Sequence, residues 1–545
     1  MEKNILYYIK KYKHRIFILT TILIFQTLVI FLIPLLSKFM LQKAEKGLFP
    51  TKYIVYFFIT LLFWLIFRLL TKNFSLKFRV EFIKQESEFL YKSLFMVKLG
   101  QIYKQGPTYF YNRIKRSLES IYNFISNFTS KIFVSILKII ISLVAIFIIN
   151  KVLFFLFILI VPINFLSYRK LNTKLKKQTA YLQNITSKNS SYIVQIVRNL
   201  KTIKQIFNYS SISKIIAKKI KFKETIQKKI NWFAGKISII LTMGIVIIRN
   251  LILLLTIYYY SINSFSVADI VFVNIIFNIY FEGVKKLNSI NLNKREVDSS
   301  LNFINKEIME NLEDKNQTGQ EIEKIETIKI NISNFTYDYK KTILKNIKIK
   351  FYKGERIGLI GKTGSGKSTI AKLLARLYNS NNIFINNKNI RNYKLKSIRE
   401  KIYIVFQNQL LFPGTIEDNI KIGNSKVSKK RYARIIEENF IKDLIKQLPD
   451  GLSTQLSEYS NNLSGGQKQK INIARLLLHN PDLIILDEAT SAMDIDTEKK
   501  VYNSINRFYK NNIILIISHR NSINNYCTRV MNLDNKNKRI IKLNN

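Results

Sequence analysis

Residues 356–369 read Arg356-Ile-Gly-Leu-Ile-Gly361-Lys362-Thr363-Gly364-Ser365-Gly366-Lys367-Ser368-Thr369. A short apolar run feeds a glycine-rich loop, and an amphipathic helical stretch, Ser368–Leu377, follows at once. This is the pattern G-x-x-x-x-G-K-[ST] in the strand–loop–helix setting that gives it meaning. Loop N–H groups and the helix N-terminus would cradle phosphates. Lys367 would reach the β- and γ-phosphates of a nucleotide such as ATP, and Ser368 would ligate Mg²⁺. Glycine is scarce, 17 in 545 residues, yet Gly354, Gly358, Gly361, Gly364 and Gly366 cluster here. Such a cluster marks backbone that must itself touch something.

Downstream, two more apolar runs end in polar groups. Leu483–Leu486 leads into Asp487 and Glu488, and Asn512–Ile517 leads into Ser518 and His519. An acid at the carboxyl end of a buried strand suits Mg²⁺, so Asp487 is the second expected ligand, and Glu488 is placed to polarise a water as general base. Alone, the Asp-Glu pair would equally suit helix N-capping; beside a phosphate loop the metal reading gains weight. His519 is expected near the γ-phosphate, although a histidine leaving a strand is more often structural. His14 and His479 have no comparable setting and are read as structural. Earlier β-rich runs, Ile328–Ile332 and Ile347–Phe351, alternate with helical ones. The order predicts an α/β P-loop NTPase domain over 327–545 with a largely parallel sheet.

Upstream the composition changes. Residues 307–326 are polar and acid-rich and are expected to be a linker. Residues 1–306 carry six long apolar runs: Ile16–Leu36, Ile54–Leu70, Ile132–Ile149, Val152–Tyr168, Ile237–Tyr259 and Val267–Phe281. Most approach the ~20 residues that a helix needs to cross a bilayer. They predict a membrane α-helical domain with six transmembrane helices. Asn150 and Lys151 alone separate the third and fourth, giving a tight hairpin. Glu81–Val97 and Ser191–Phe207 keep helical periodicity in the two long connections, and Gly106-Pro107 should turn the chain.

Charge follows the same alternation. Of 87 Lys+Arg and 35 Asp+Glu, residues 1–300 hold 45 and 11, a net of 45 − 11 = +34. The cations gather in residues 1–15 and in the two long connections, which places both termini and both long loops in the cytoplasm. Arg68 and Lys138 fall near cytoplasmic span ends, where they could snorkel. The first run lacks a small-residue cleavage site and is read as a retained helix. A soluble helical bundle would have no reason for this asymmetry. A basic excess alone names no partner, and six spans exclude a soluble ATPase acting on nucleic acid. The single cysteine, Cys527, and three histidines leave no material for disulfides or a multi-histidine metal centre.

Leu463-Ser464-Gly465-Gly466-Gln467 then gives the chain its resemblance. It resembles the ATP-binding-cassette (ABC) exporter family, in the half-transporter form that fuses membrane and nucleotide-binding domains. Order and spacing carry the likeness: Leu463 lies 463 − 367 = 96 residues after Lys367, and Asp487 lies 487 − 467 = 20 after Gln467. The resemblance implies that Tyr337 stacks on adenine, with Tyr339 its rival. It implies that Gln407 contacts Mg²⁺ and the attacking water. Ser464, Gly465, Gly466 and Gln467 would bind ATP held by a second half-transporter, and Asp494 would sit in the loop crossing that dimer. Thr454–Ser460, with Glu458, resembles an exporter-specific segment, although Ser457 and Ser460 stand where glycine is usual. Coupling helices are expected near Gly106–Glu119 and Ile206–Ser213. The chain stops at Asn545, where the family often adds a helix, so a reduced C-terminal helix is expected.

The resemblance implies an ATP- and Mg²⁺-dependent exporter or flippase in a bilayer, in a bacterial inner membrane, working as a homodimer or heterodimer. Lipids or amphiphilic drugs are the favoured substrates. A peptide exporter and a non-transporting regulator are the alternatives. Arg249-Asn250 falls mid-way along the fifth span, where a charge is expensive and points to function. If it faces a cavity it favours an anionic substrate; interhelical pairing is the other reading, and the same choice applies to Asn274 and Asn278.

Overall fold

The computed structural model describes residues 3–160, 162, 181–182, 185–186, 189, 192–194, 196–197, 199–206, 209–313, 319–337, 342–407, 411–424, 428–456, 462–534 and 540–542. The chain divides into two compact units: Met1–Val97 with Ile102–Leu312, and Lys98–Gln101 with Glu313–Asn545.

The first unit is helical. Its elements are α1 (Ile5–Lys11), α2 (Lys13–Glu45), α3 (Thr51–Leu94), α4 (Leu99–Gln105), α5 (Pro107–Ile149), α6 (Lys151–Ile160), α7 (Leu200–Ile206), α8 (Tyr209–Ser261) and α9 (Val267–Asn302). Five stretches are long and apolar enough to cross a bilayer: Lys13–Glu45, Thr51–Leu94, Ile132–Ile149, Thr242–Ser261 and Val267–Leu287. The fourth expected span is described only through the shorter α6; its remainder, apart from residue 162, lies outside the described residues, as do residues 191, 195, 198 and 207 of the second long connection. These helices make the chain an integral membrane protein.

Asn150 makes the hairpin expected between the third and fourth spans. It ends α5 in an extended conformation, and its Oδ1 accepts from the N–H groups of Val152 and Leu153 at 2.8 and 3.1 Å. Gly106 takes φ +87° and Pro107 opens α5, so the chain turns there. The short helix α4 precedes the stretch Gly106–Glu119, which holds the N-cap and the regular start of α5.

Several charges of this unit are paired. Lys138 does not snorkel: it is 4% exposed and ion-paired with Glu282 of α9 at 2.6 Å. Gly283 makes that approach possible, since a Cβ there would lie 3.0 Å from the Ser135 carbonyl. Lys38 pairs with Asp269 at 2.6 Å, and Arg68 lies 4.9 Å over the Trp64 ring. Away from the apolar spans, Glu86 is fully buried and receives Lys3 at 3.0 Å, Lys11 at 2.5 Å and the Tyr12 hydroxyl at 3.1 Å. The Lys3 backbone is bonded in both directions to the Asn305 amide, at 2.9 and 2.8 Å. Asn305 lies in a π-helical turn, Phe303–Ile308, whose Phe303, Ile304 and Ile308 join the same buried cluster as Tyr8, Phe82 and Phe110.

The second unit is α/β. Its strands are β1 (Thr327–Thr336), β2 (Thr342–Tyr352), β3 (Arg356–Ile360), β4 (Ile383–Ile385), β5 (Lys388–Asn389), β6 (Ile402–Val405), β7 (Gly414–Thr415), β8 (Gln455–Leu456), β9 (Leu483–Asp487), β10 (Ile513–Ile517), β11 (Arg529–Asn532) and β12 (Ile540–Lys542). Its helices are α10 (Lys367–Leu374), α11 (Leu395–Lys401), α12 (Ile416–Lys421), α13 (Lys429–Ile436), α14 (Asn439–Lys446), α15 (Gly465–Leu477) and α16 (Ile495–Phe508). The main sheet runs β12-β11-β3-β10-β9-β6 and is parallel except for β12. Every residue of β9 and β10 is buried. That explains their unbroken apolar sequence, because a parallel sheet is covered on both faces.

The earliest strands depart from the parallel expectation. β1 and β2 pair antiparallel in a separate sheet, β2-β1-β4-β5. Their connection is too short for the crossover that a parallel pair needs. The stretch 307–326 is shared between the units. Residues 307–312 end the helical unit, while Ile322 and Ile325 are buried in the α/β core. The Ile322 N–H donates to Ser397 Oγ at 2.7 Å and that of Ile325 to Asp482 Oδ2 at 2.9 Å.

Candidate nucleotide site

Parallel strands of one sheet end on one edge, and here four of them deliver polar groups together. β3 leads into the glycine loop, β9 ends at Asp487, β10 precedes Ser518-His519, and β6 precedes Gln407. The register aligns them: Ile517 lies opposite both Leu359 and Asp487, and Val405 lies opposite Leu486.

The loop has the geometry its glycines imply. Gly361, Gly364 and Gly366 have φ of +149°, +86° and +97°. A Cβ on Gly366 would overlap Leu344 Cδ2, whereas one on Gly364 would meet nothing. Lys362 and Thr363 continue the loop, and the Lys362 N–H donates to Asp534 Oδ2 at 2.7 Å. Lys367 donates to the carbonyls of Gly361 and Lys362 at 2.6 and 2.9 Å. Burial lowers the Lys367 pKa, against the opposing pull of Glu488, Asp534 and Asp487. Ser365 Oγ is buried and has no hydrogen-bond partner among the described residues. Ser368 donates to Asp487 Oδ1 at 3.0 Å, and burial raises the Asp487 pKa against that bond. Two hard oxygen donors at that spacing, beside a cradle open at Gly364, fit Mg²⁺ and a polyphosphate.

Glu488 is held at both carboxylate oxygens. Gln407 Nε2 donates to Oε2 at 2.5 Å, and His519 Nε2 lies 3.0 Å from Oε1. Its backbone has φ +52°, rare for a side chain with a Cβ, and its N–H is tied to the Ile517 carbonyl at 2.9 Å. Tyr337 packs edge-on to Tyr378 with centroids 4.6 Å apart, and its hydroxyl donates to Thr369 Oγ1 at 3.0 Å.

The Leu463–Gln467 motif forms a capping box. Ser464 Oγ accepts from the Gln467 N–H at 3.2 Å, and Gln467 Oε1 accepts from the Ser464 N–H at 2.9 Å, starting α15. Gly465 and Gly466 lie against Ala492, whose carbonyl would be 2.8 Å from a Cβ on Gly466. Asp494 caps α16, accepting from Thr497 N–H and Oγ1 at 2.7 and 2.9 Å, which lowers its pKa. Residues 457–461, with Glu458, and Tyr339 lie outside the described residues.

Three contributors escaped sequence reasoning. Gln469, 5% exposed, donates to the Glu488 carbonyl at 3.3 Å and to Ser491 Oγ at 3.0 Å, and accepts from the Ala492 N–H at 3.0 Å. Arg520 donates to the Ser491 and Met493 carbonyls at 2.9 and 3.2 Å. Asp534 holds the loop at Lys362.

Glycine loop, paired acids and capping-box helix on one sheet edge define a nucleotide-binding cassette, carried behind membrane-length helices. Residues 344–491 match the family described as ABC transporter. The chain is 32% identical over 293 residues to an uncharacterized ABC transporter ATP-binding protein, YwjA, of Bacillus subtilis (strain 168), over 52% of this chain and 50% of that protein. It is 35% identical over 233 residues to a putative multidrug export ATP-binding/permease protein of Staphylococcus aureus (strain bovine RF122 / ET3-1), over 42% of this chain and 40% of that one. The chain thus matches half or less of the length of these curated relatives. The structure of a bacterial Atm1-family ABC exporter with ATP bound has the same fold, with a TM-score of 0.84 over 96% of this chain and 94% of that chain at 21% identity. Residues 344–491 thus carry an ABC transporter domain, and the chain as a whole has the exporter fold, with helical domain and ATP-binding domain in one polypeptide.

Proposed function

We propose that the chain is one half of an ATP-driven exporter or flippase that moves lipids or amphiphilic molecules out of the cytoplasm or the inner leaflet. The observation that carries this reading is Glu488, fixed by Gln407 on one oxygen and His519 on the other, at the strand edge that presents the phosphate loop. In this reading Lys367 and the loop N–H groups bind the β- and γ-phosphates, and Glu488 accepts a proton from the attacking water. Gln407 and His519 orient Glu488 and the γ-phosphate. Tyr337 supports adenine. Ser368 and Asp487, with Gln407, would hold Mg²⁺, whose charge would offset that on the phosphoryl oxygens.

Ser464, Gly465, Gly466 and Gln467 would complete the site of a second half-transporter, with Asp494 at the dimer interface. ATP favours the closed pair, hydrolysis releases it, and the helices alternate in access. The membrane is a bacterial inner membrane, with both termini cytoplasmic. ATP hydrolysis by the purified chain in lipid nanodiscs, against Glu488→Gln, tests this. We expect Mg²⁺-dependent turnover that the variant reduces at least ~100-fold. No turnover from folded wild-type chain would overturn the homodimer and leave a heterodimer to be sought.

A further inference from the structure

Arg249 lies mid-way along the apolar stretch of α8, Thr242–Ser261, and is exposed. Its Nε donates to Asn274 Oδ1 of α9 at 3.1 Å. The amide orients the guanidinium but is neutral, and it occupies one of five N–H donors. Among the described residues no further partner is bonded to Arg249. Three cations of the other membrane-length helices are provided for: Lys38 by Asp269, Lys138 by Glu282, Arg68 by the face of Trp64.

Among the described residues of α8 and α9, no free carboxylate lies at that depth. Between residues 120 and 268 the sequence has one acid, Glu224, which lies about 25 residues before Arg249 along α8. At about 1.5 Å per residue that is well over 30 Å away. On α9 the acids nearest Asn274 are Asp269, bound to Lys38 and capping the helix through Ser266, and Glu282, bound to Lys138 and Lys286. A second copy of the chain would bring the same inventory. An uncompensated guanidinium facing lipid tails is strongly disfavoured, so it must meet a polar occupant.

We infer that Arg249, oriented by Asn274, is an anion-recognition site within the membrane helices, and that the transported substrate carries an anionic phosphate or carboxylate group on an apolar body. The apolar part follows from the neighbours, Ile252, Leu253, Ile270, Val273 and Phe277, which with Thr256 surround Arg249 and Asn274. Arginine suits this role because its planar fork stays charged and meets a phosphate or carboxylate with two parallel N–H bonds. The inference rests on the export reading and narrows its substrate class.

The test is ATP hydrolysis by the full chain in nanodiscs of zwitterionic phosphatidylcholine. Three probes are titrated: lysophosphatidylglycerol, lysophosphatidylcholine of the same acyl chain, and soluble glycerol phosphate. Stimulation by lysophosphatidylglycerol at a half-maximal concentration at least ~5-fold below that of lysophosphatidylcholine is expected, with Arg249→Gln removing the difference and Arg249→Lys keeping part of it. A response to glycerol phosphate as strong as to the anionic lysolipid would overturn the apolar body and leave a soluble anion as the source. Equal responses of the wild-type chain to both lysolipids, with hydrolysis intact, overturn the anion site alone, and this arm needs no variant to fold. Absence of hydrolysis with every probe overturns the self-sufficient homodimer of the export reading instead.

Discussion

Gln469 accepts a hydrogen bond from the Ala492 N–H at 3.0 Å, joining the capping-box helix to the loop that follows Glu488. Its other end reaches the Glu488 carbonyl and Ser491 Oγ, so one buried amide fixes three points of that loop. Gln469→Ala leaves these groups unpaired and is expected to cost about 1–3 kcal/mol. Turnover should fall more than nucleotide binding does. Gln469→Glu keeps the acceptor, loses the donor, and should be intermediate. Thermal unfolding and ATP hydrolysis of the three chains decide this; an unchanged Gln469→Ala protein would refute it.

Backbone strain at Glu488 makes a separable prediction. With φ at +52°, alanine there carries the same left-handed penalty, and glycine does not. Glu488→Gly should therefore be more stable than Glu488→Ala by about 1 kcal/mol, the reverse of the usual order of these residues in regular structure. Both should be inactive. Denaturant midpoints of the pair are the measurement.

The glycines of the phosphate loop should not respond alike. Gly366→Ala meets strain and Leu344 together, for roughly 2–4 kcal/mol. Gly364→Ala meets strain alone, about 1–2 kcal/mol. Nucleotide binding should be lost in the first and weakened in the second. Equal melting temperatures would contradict the packing at Leu344.

Burial lowers the His479 pKa, and Arg431 and Arg475 lower it further. The ring lies 4.8 Å from that of Tyr403. A folded-state value below the unfolded one means that stability is present above about pH 6.5 and is lost as pH falls through the folded pKa. His479→Phe keeps the ring contact and should lose part of the decline in stability between pH 7.5 and 5.5. Melting curves across that window check it, and an identical slope in the variant would rule the histidine out.

How much of this the sequence carried depends on how local each determinant is. The phosphate loop is legible because its strand, glycines and helix are contiguous, and Ser464 with Gln467 form a capping box within four residues. Membrane-length helices are legible because apolar length is a local property. Asp534 and Gln469 were not, since each acts across more than a dozen residues of chain on a backbone group that has no side-chain signature. Residues 307–326 looked like a linker because Ile322 and Ile325 are isolated among polar neighbours, and only Ser397 and Asp482, far along the chain, reveal that they are packed. Lys138 looked free to reach the interface because Glu282 lies 144 residues away.

The bonds between Lys3 and Asn305 join residues 302 positions apart. At a translation rate of about 5–20 residues per second, the first end of that joint waits roughly 15–60 s for the second to be made. Through that interval Lys3 and Glu86 can meet, but the helical domain cannot close, because its last helix has not yet emerged. This joint is thus made late in synthesis. The start of the domain stays exposed to insertion machinery and proteases until most of the helices are already in place.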